Sequence, residues 1–389
     1  MIYLDYAAAT PLDVKVLDAM MPYLTGQFFN PSASYMAAVN VRTDFENARH
    51  RIASIIGAKP AEIIFTAGAT ESINIAFSFP KLNKRQKILI SSIEHPAVLA
   101  AATREALFTK VQLIKVDKFG RVDLDDLRDK IDDDVAMISI GYANSEIGTT
   151  QSIKKISEII NKVRADRQGR GVKNKILFHS DASQAIGFLD IDVARLGVDL
   201  LTLNAAKCYG PKQVGLLYVR AGVNLSPVIV GGGQEMGLRS GTENIAGAIG
   251  FARAFEIAEK KRKTENLRIA KLRDDLQRFL GMEFPQIQIN GDQKHRLPNI
   301  LNFSLPNLDG ERAVFALDQH GVCVATGSAC AANKGNRSHA LTAIGLSENL
   351  ADGSLRISLG RGTTKEEITE LKPILTKVLH EQLKFGSQK

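Results

Sequence analysis

Apolar positions recur along this chain at two spacings. Val41, Phe45, Ala48, Ile52 and Ile55 share one face of a helix over residues 37–56, and Gly57 supplies its stop. Short, nearly continuous apolar runs follow at 62–66, 87–92, 135–142, 176–179, 198–203 and 215–219. Helical patterns lie between them, such as Ile153, Ile156, Ile160 and Val163. Strands apolar on both faces, alternating with helices, predict a mostly parallel sheet covered on both sides. Near residue 250 the texture changes. A long helix over 251–280 carries the charge run Glu259-Lys260-Lys261-Arg262-Lys263. After it come segments at 297–303, 313–318 and 355–359 and a final helix from 364 to about 385, which predict a smaller α+β domain with the long helix as hinge.

Composition narrows the class. The 389 residues are 44% hydrophobic and 24% charged, which excludes a disordered or low-complexity chain. This length fits two or three domains or one large α/β unit. The net charge is +8, and the basic clusters at 81–87, 162–175 and 260–263 have little aromatic interleaving. They read as solvated surface on helix ends and loops, so direct nucleic-acid binding is not expected. No apolar stretch reaches the ~18–20 residues of a membrane span, and the N-terminus lacks the pattern of a secretory leader. No pairing scheme uses all 3 cysteines, so a cytoplasmic, reducing compartment with free thiols is expected. No metal site is expected.

Ligands of open α/β sheets bind at the carboxyl ends of the strands. There the sequence places Gly68-Ala69-Thr70-Glu71-Ser72 at a helix start, where small residues, free N–H groups and the Thr70 hydroxyl suit an anion, although a plain helix cap would look alike. Glu94-His95 follows the next strand, and a lone histidine there is more often structural. Asp181 ends an apolar strand and needs a partner. Lys207 sits in a turn enforced by Gly210 and Pro211, and a lysine in a cleft can form Schiff bases. Each has a bland explanation. Together, an anion cradle, a ring-sized gap, a carboxylate and a lysine are what pyridoxal 5'-phosphate requires.

The ordered motifs carry a resemblance over nearly the whole chain. They are Tyr3-Leu4-Asp5-Tyr6-Ala7-Ala8-Ala9-Thr10-Pro11, Asn30-Pro31-Ser32, Gly68-Ala69-Thr70-Glu71-Ser72, Glu94-His95 and Asn144-Ser145-Glu146-Ile147-Gly148. Asp181-Ala182-Ser183-Gln184, Lys207 with Tyr209-Gly210-Pro211-Lys212, and Gly231-Gly232-Gly233-Gln234-Glu235 follow. The series ends with Arg239-Ser240-Gly241-Thr242-Glu243-Asn244, Leu297-Pro298-Asn299, Gly327-Ser328-Ala329-Cys330, and Arg356 before Gly360-Arg361. The chain resembles the cysteine desulfurases, the sulfur-mobilising branch of the fold-type I, class V aminotransferases.

The resemblance implies a large domain, residues 15–255, with a mostly parallel seven-stranded sheet. Residues 1–14 plus 256–389 would form a smaller α+β domain carrying the catalytic cysteine loop. It implies that Lys207 holds the cofactor as a Schiff base and that Asp181 pairs with its ring nitrogen. Gln184 and Ser145 would lie at the ring hydroxyl, and His95 would stack on the ring. Ala69, Thr70 and Asn204 would meet the phosphate, with Thr242 reaching the phosphate of a second subunit in a homodimer. Arg356 and Asn30 would bind the carboxylate of L-cysteine, and Cys330 would take the sulfur as a persulfide. An iron–sulfur scaffold or a tRNA-thiolation relay would be the acceptor. The sequence around Cys330 is small, glycine-containing and basic at Lys334, which suits a thiolate that moves. Cys323 reads as inert core and Cys208 as buried beside the cofactor lysine.

The chain departs from the family at four places. Asn204-Ala205-Ala206-Lys207 replaces Ser-x-His-Lys, a change costing about 1–3 kcal/mol of cofactor binding through the contact Ala206 cannot make. Ser145 replaces the second Asn of Asn-Asn-Glu, Ala67 replaces Ser, and Ser34-Tyr35 displaces a His. Two other readings stay open: a related lyase or aminotransferase acting on another amino acid, and a degenerate paralogue serving as a scaffold.

Overall fold

The computed structural model describes residues 1–78, 86–327 and 337–386. Its strands in chain order are β1 (Ile2–Tyr3), β2 (Ile63–Thr66), β3 (Lys87–Ser91), β4 (Lys110–Ile114), β5 (Val135–Ser139) and β6 (Leu177–Asp181). Then come β7 (Leu200–Asn204), β8 (Gly215–Val219), β9 (Gln288–Ile289), β10 (Ile300–Ser304), β11 (Val322–Cys323) and β12 (Ser354–Ser358). Seven of them form one sheet in the order β2-β8-β7-β6-β5-β3-β4. All pairs are parallel except the two made by β8, which runs against both neighbours. This is the mostly parallel architecture that the apolar strands predict.

The period-two alternation of a strand places side chains on both faces of this sheet. Ile63, Phe65, Leu89, Ile138, Phe178, Leu201 and Leu203 enter one core with the helices Met36–Ile56, Ile153–Gly169 and Ile245–Glu283. Ile64, Ile88, Ile90, Met137, Leu200 and Leu217 enter another with Ala69–Ala76 and Pro96–Glu105. A side chain such as Phe178, with no exposed surface, contributes roughly 1.5–3 kcal/mol by burial. The helix Met36–Ile56 ends where expected: Gly57 adopts φ 67°, and its N–H returns to Ala53 O and Ser54 O.

A further core gathers around the antiparallel sheet β9-β10-β12 and the helices Gly310–Asp318 and Lys365–Gly386. The long helix Ile245–Glu283 serves both regions, with Phe251 and Phe255 in the first core and Ile269, Leu276 and Leu280 in this one. Its start is capped by Asn244 Oδ1, which accepts from Gly247 N at 2.9 Å. The cluster Lys260–Lys263 lies within this helix, as its charge run over 251–280 predicts, in a stretch without buried residues between Ala258 and Ile269.

Four strands escape the sequence pattern, the two-residue β9 among them. β4 is the sheet edge and exposes Lys110, Gln112 and Leu113, so it lacks the continuous apolar run of its neighbours. β1 and β11 are two-residue strands paired in parallel with each other. Through β1 the chain start joins the core around β9-β10-β12, where Ile2 and Leu4 are buried. Among the described residues no helix is long and apolar enough to cross a membrane.

Candidate active site

A cavity of about 310 Å³ opens at the carboxyl ends of β2, β3, β5, β6 and β7. Ala69, Thr70, His95, Ser145, Asp181, Gln184, Asn204, Lys207 and Arg356, all anticipated from sequence, line it. Asn30 and Thr242 do not: both side chains are exposed, and Asn30 Oδ1 accepts from Ser32 N at 2.9 Å. Cys330 lies outside the described residues.

The anion cradle is the turn from β2 into the helix Ala69–Ala76. Gly68 takes φ 132°, and the N–H groups that open the helix point out of its end. Glu71 fixes the turn, accepting from Ala67 N at 3.0 Å and from Arg239 Nε at 3.0 Å. The start of β8 presses on it: a Cβ on Gly215 would lie 2.7 Å from the backbone of Gly68. On the adjoining strand, Asn204 Oδ1 accepts from Ala206 N at 3.2 Å, leaving its amide donors for the cavity.

Lys207 follows β7 in a single 3-10 turn, Ala205–Lys207. Its Nζ donates to the carbonyls of Ala7 and Ala8 at 2.7 and 2.6 Å. Gln184 Nε2 also donates to Ala7 O, at 3.0 Å. Thr10 completes this strap: its hydroxyl donates to Ala206 O at 3.0 Å and accepts from Tyr209 N at 2.8 Å. The motif at residues 3–11 is therefore a crossing segment that ties the lysine turn to the core around β9-β10-β12.

Asp181 closes β6, with Oδ1 accepting from Ser183 N at 2.9 Å. Beneath it His179 is buried between Ser139 Oγ at 2.8 Å and Thr202 Oγ1 at 3.0 Å, and burial lowers its pKa to about 4, so the ring is neutral. His95 caps the helix Pro96–Glu105, its Nδ1 accepting from Ala97 N at 3.1 Å. Enclosure by the protein lowers its pKa, and nearby Lys207 and His339 lower it further against the pull of Asp181. The imidazole is thus neutral, with its proton on Nε2.

Two acids that the sequence reading left without roles also line the cavity. Glu94 is buried with Oε1 accepting from Gly141 N at 2.7 Å and Oε2 without a partner among the described residues. Burial pushes its pKa up to about 8, against the Gly141 N–H and with help from Asp181. Glu146 is pushed up to about 7 by burial, against the Ser338 hydroxyl and Arg356. Arg356 donates from Nη2 to Asp5 Oδ1 at 2.6 Å and from Nη1 to Ser145 O at 3.1 Å. Among the described residues its buried Nε has no partner. His339, also missed, lines the cavity with Nε2 at 2.8 Å from Glu94 O. Glu94, Asp5 and Glu146 stood inside quoted motifs, but only distance in the fold exposes their partners.

Cys208 is buried in the first core, where its Sγ reaches Ala205 O at 3.4 Å and burial pushes the thiol up to about 12. It is an unreactive thiol. Cys323, in β11, is half-buried.

The donor set tests the cofactor. A helix N-terminus, a strand-end carboxylate, a lysine and a neutral imidazole around one cavity at the carboxyl edge of a mostly parallel sheet fit pyridoxal 5'-phosphate. That combination defines the class, the fold-type I enzymes that use this cofactor. The aminotransferase class-V family model matches residues 2–371, and the chain belongs to that family. It is 42% identical over 382 residues to cysteine desulfurase IscS of Dictyoglomus turgidum, across 97% of this chain and 94% of that relative. The solved structure of a NifS-like protein matches with a TM-score of 0.88 at 34% identity, over 98% of this chain and 99% of that one. The structure of SspA in complex with cysteine matches with a TM-score of 0.78 at 32% identity, over 92% and 99%.

Proposed function

We propose that this chain is a cysteine desulfurase that converts L-cysteine to L-alanine and leaves the sulfur on Cys330. The observation that carries the proposal is the single cavity shared by Thr70, Asp181, Lys207 and Arg356, in a chain whose relatives are named for that activity.

Pyridoxal 5'-phosphate, when bound, supplies an electron sink for the pair left at the substrate α-carbon. Ala69, Thr70 and Asn204 would hold the phosphate, Asp181 would keep the ring nitrogen protonated, and Ser145 and Gln184 would meet the ring hydroxyl. His95 would bound the ring. Lys207 would hold the cofactor, and its amine would take the substrate α-proton. Arg356 binds the substrate carboxylate, and Asn30 is proposed as a second contact on its motif alone. The Cys330 thiolate attacks the substrate sulfur. An S–S bond forms as the Cβ–S bond breaks, the electron pair stays with carbon, and protonation releases alanine.

The two cores support a cofactor domain at 15–255 and a small domain at 1–14 plus 256–389. A homodimer is part of the proposal. The helix Val14–Leu24 packs one face on the long helix and exposes Leu17, Met21 and Leu24 on the other, beside the further exposed apolar residues Phe28 and Met36. Thr242 then serves the partner's phosphate site. Three cysteines with no full pairing scheme suit a cytoplasmic protein, and the sulfur passes to an iron–sulfur scaffold or a tRNA-thiolation relay.

Purified protein should show the absorbance of a lysine-bound cofactor and release alanine and sulfide from cysteine with a reductant. Cys330→Ala should keep the absorbance and lose the sulfide. Full activity in Cys330→Ala refutes the mechanism, and a wild type that never binds the cofactor favours the scaffold alternative.

A further inference from the structure

The seven-stranded sheet has β2 as its other edge, and the residues after β2 turn into the anion cradle. On an edge strand the N–H and C=O groups of alternate residues face outward with no partner strand. On β2 the N–H of Phe65 and the C=O of Ile63 are taken by side chains instead. Phe65 N donates to Glu235 Oε2 at 2.6 Å, and Ile63 O accepts from Arg49 Nη1 at 2.7 Å. The two side chains are also joined to each other, Nη1 to Oε2 at 2.9 Å and Nη2 to Oε1 at 2.7 Å. One donor to the C=O of Ile63 and one acceptor for the N–H of Phe65 are the two bonds that a residue of a parallel strand beside Ile64 would make.

The pair is built into the fold from both sides, with side chains only 4% and 3% exposed. Arg49 comes from the helix Met36–Ile56. Its Cζ lies 4.9 and 5.0 Å from the ring centres of Phe45 and Phe65, and its Nε donates to Glu46 at 3.0 Å. Glu235 is held at φ 47° and Met236 after it at φ 57°, a left-handed conformation uncommon for residues with a side chain. Such backbone persists where the surroundings over-determine it, and the three hydrogen bonds of the Glu235 carboxylate do so here. Farther along the same segment, Arg239 returns to the cradle and donates to Glu71 Oε1, while Glu71 Oε2 accepts from Ala67 N. The segment therefore grips the cradle before Thr66, through Phe65, and after it, through Glu71.

We propose that Arg49 and Glu235 are positioning residues for the phosphate cradle: they stand in for a strand at the edge of β2 and fix the start of the turn that runs from Thr66 to Thr70. The inference rests on the cavity holding pyridoxal 5'-phosphate. Replacing a buried ion pair by apolar side chains is often neutral or stabilising, so fold stability alone gives little reason for this one. A rung on the edge gives a reason, because an unpaired edge strand opens more readily than a paired one and Thr66–Thr70 would move with it. The pair also closes the edge to a strand of another chain without creating a new edge.

The test compares Glu235→Ala, Glu235→Gln and Arg49→Lys with Ile52→Ala, a fully buried position on the same helix whose truncation opens a cavity in the core without touching the rung. Two quantities are read on the loaded protein: the rate at which cofactor absorbance is lost on dilution, and hydrogen–deuterium exchange of residues 63–72 by mass spectrometry. Glu235→Ala should lose the cofactor about tenfold faster, and residues 63–72 should exchange about tenfold faster while 177–181 in the middle of the sheet keep the wild-type rate. Glu235→Gln, whose amide oxygen still accepts from Phe65 N, should recover to within about threefold of wild type. Arg49→Lys should fall between them, because one ammonium cannot serve both carboxylate oxygens and Ile63 O as the guanidinium fork does. Ile52→Ala should lower the melting temperature yet keep both rates within about twofold of wild type. Equal cofactor loss in Glu235→Ala and Ile52→Ala, wild-type exchange of 63–72 in Glu235→Ala, or no recovery in Glu235→Gln would overturn the inference. If Glu235→Ala does not fold, wild-type rates in Arg49→Lys overturn it in the same way. A wild type that holds no cofactor defeats the cofactor assignment instead, and the exchange of 63–72 then decides on the pair alone.

Discussion

Asp5 and Arg356 form an ion pair whose side chains are only 19% and 4% exposed. Two guanidinium nitrogens are committed to Asp5 and Ser145, which fixes its plane and leaves the buried Nε for a ligand. Asp5→Ala should raise KM for cysteine about tenfold with a smaller change in kcat, and Asp5→Asn, which can still accept, should recover most of it. Steady-state kinetics on the three proteins decides the matter. Glu94 makes a prediction in pH. Its folded pKa is raised to about 8 from the ordinary 4.5, so over that window the folded chain holds more protons than the unfolded one. The stability it contributes is complete below the unfolded value and is lost as pH rises through the folded one. Urea midpoints should therefore fall between about pH 5 and about pH 8, and Glu94→Gln should flatten that slope. Such residues mark where the sequence stops being legible. Lys207, Asp181 and His95 follow strands and are found by position, whereas Asp5 and Glu146 act through partners far away along the chain.

At the scale of elements, the parallel strands were legible because burial on both faces leaves an apolar run, as in Val135-Ala136-Met137-Ile138. The edge strand Lys110–Ile114 shows one polar or exposed face and was not legible for that reason. The pairing of Ile2–Tyr3 with Val322–Cys323 was hidden because two residues carry no period. The turn after β2 was readable as a helix start, but its support by β8 was not. That support can be tested. A Cβ on Gly215 would meet backbone atoms of Gly68 and Leu203 at 2.7–2.9 Å, and backbone cannot step aside as a side chain can. Gly215→Ala should destabilise the protein by about 1–3 kcal/mol and weaken cofactor retention, measured by thermal melting and by absorbance after dialysis.

At the scale of the molecule, the core with Phe178 and the core around β9-β10-β12 share one 39-residue helix, a continuous rod through both. The exposed stripe Leu17, Met21 and Leu24 belongs to the helix packed on that rod. Leu17→Glu with Met21→Glu should turn a dimer into a monomer in light scattering and lower cofactor retention, since Thr242 would lose the site it is proposed to complete. A double variant that remains dimeric with full cofactor would place the interface elsewhere.

The crossing segment at the chain start also sets an order of manufacture. Ala7 N donates to Ser358 Oγ at 2.9 Å across 351 residues of sequence, and Asp5 waits equally long for Arg356. During synthesis the strands that carry Asp181 and Lys207 leave the ribosome while β12 has yet to be translated. The large sheet can assemble at that stage, but the segment from Asp5 to Ala8 then has only Gln184 and Lys207 to bond and lacks Arg356 and Ser358 until β12 emerges. A prematurely released chain would therefore be an unfinished site with loose ends, a substrate for chaperones or proteases rather than a slow enzyme.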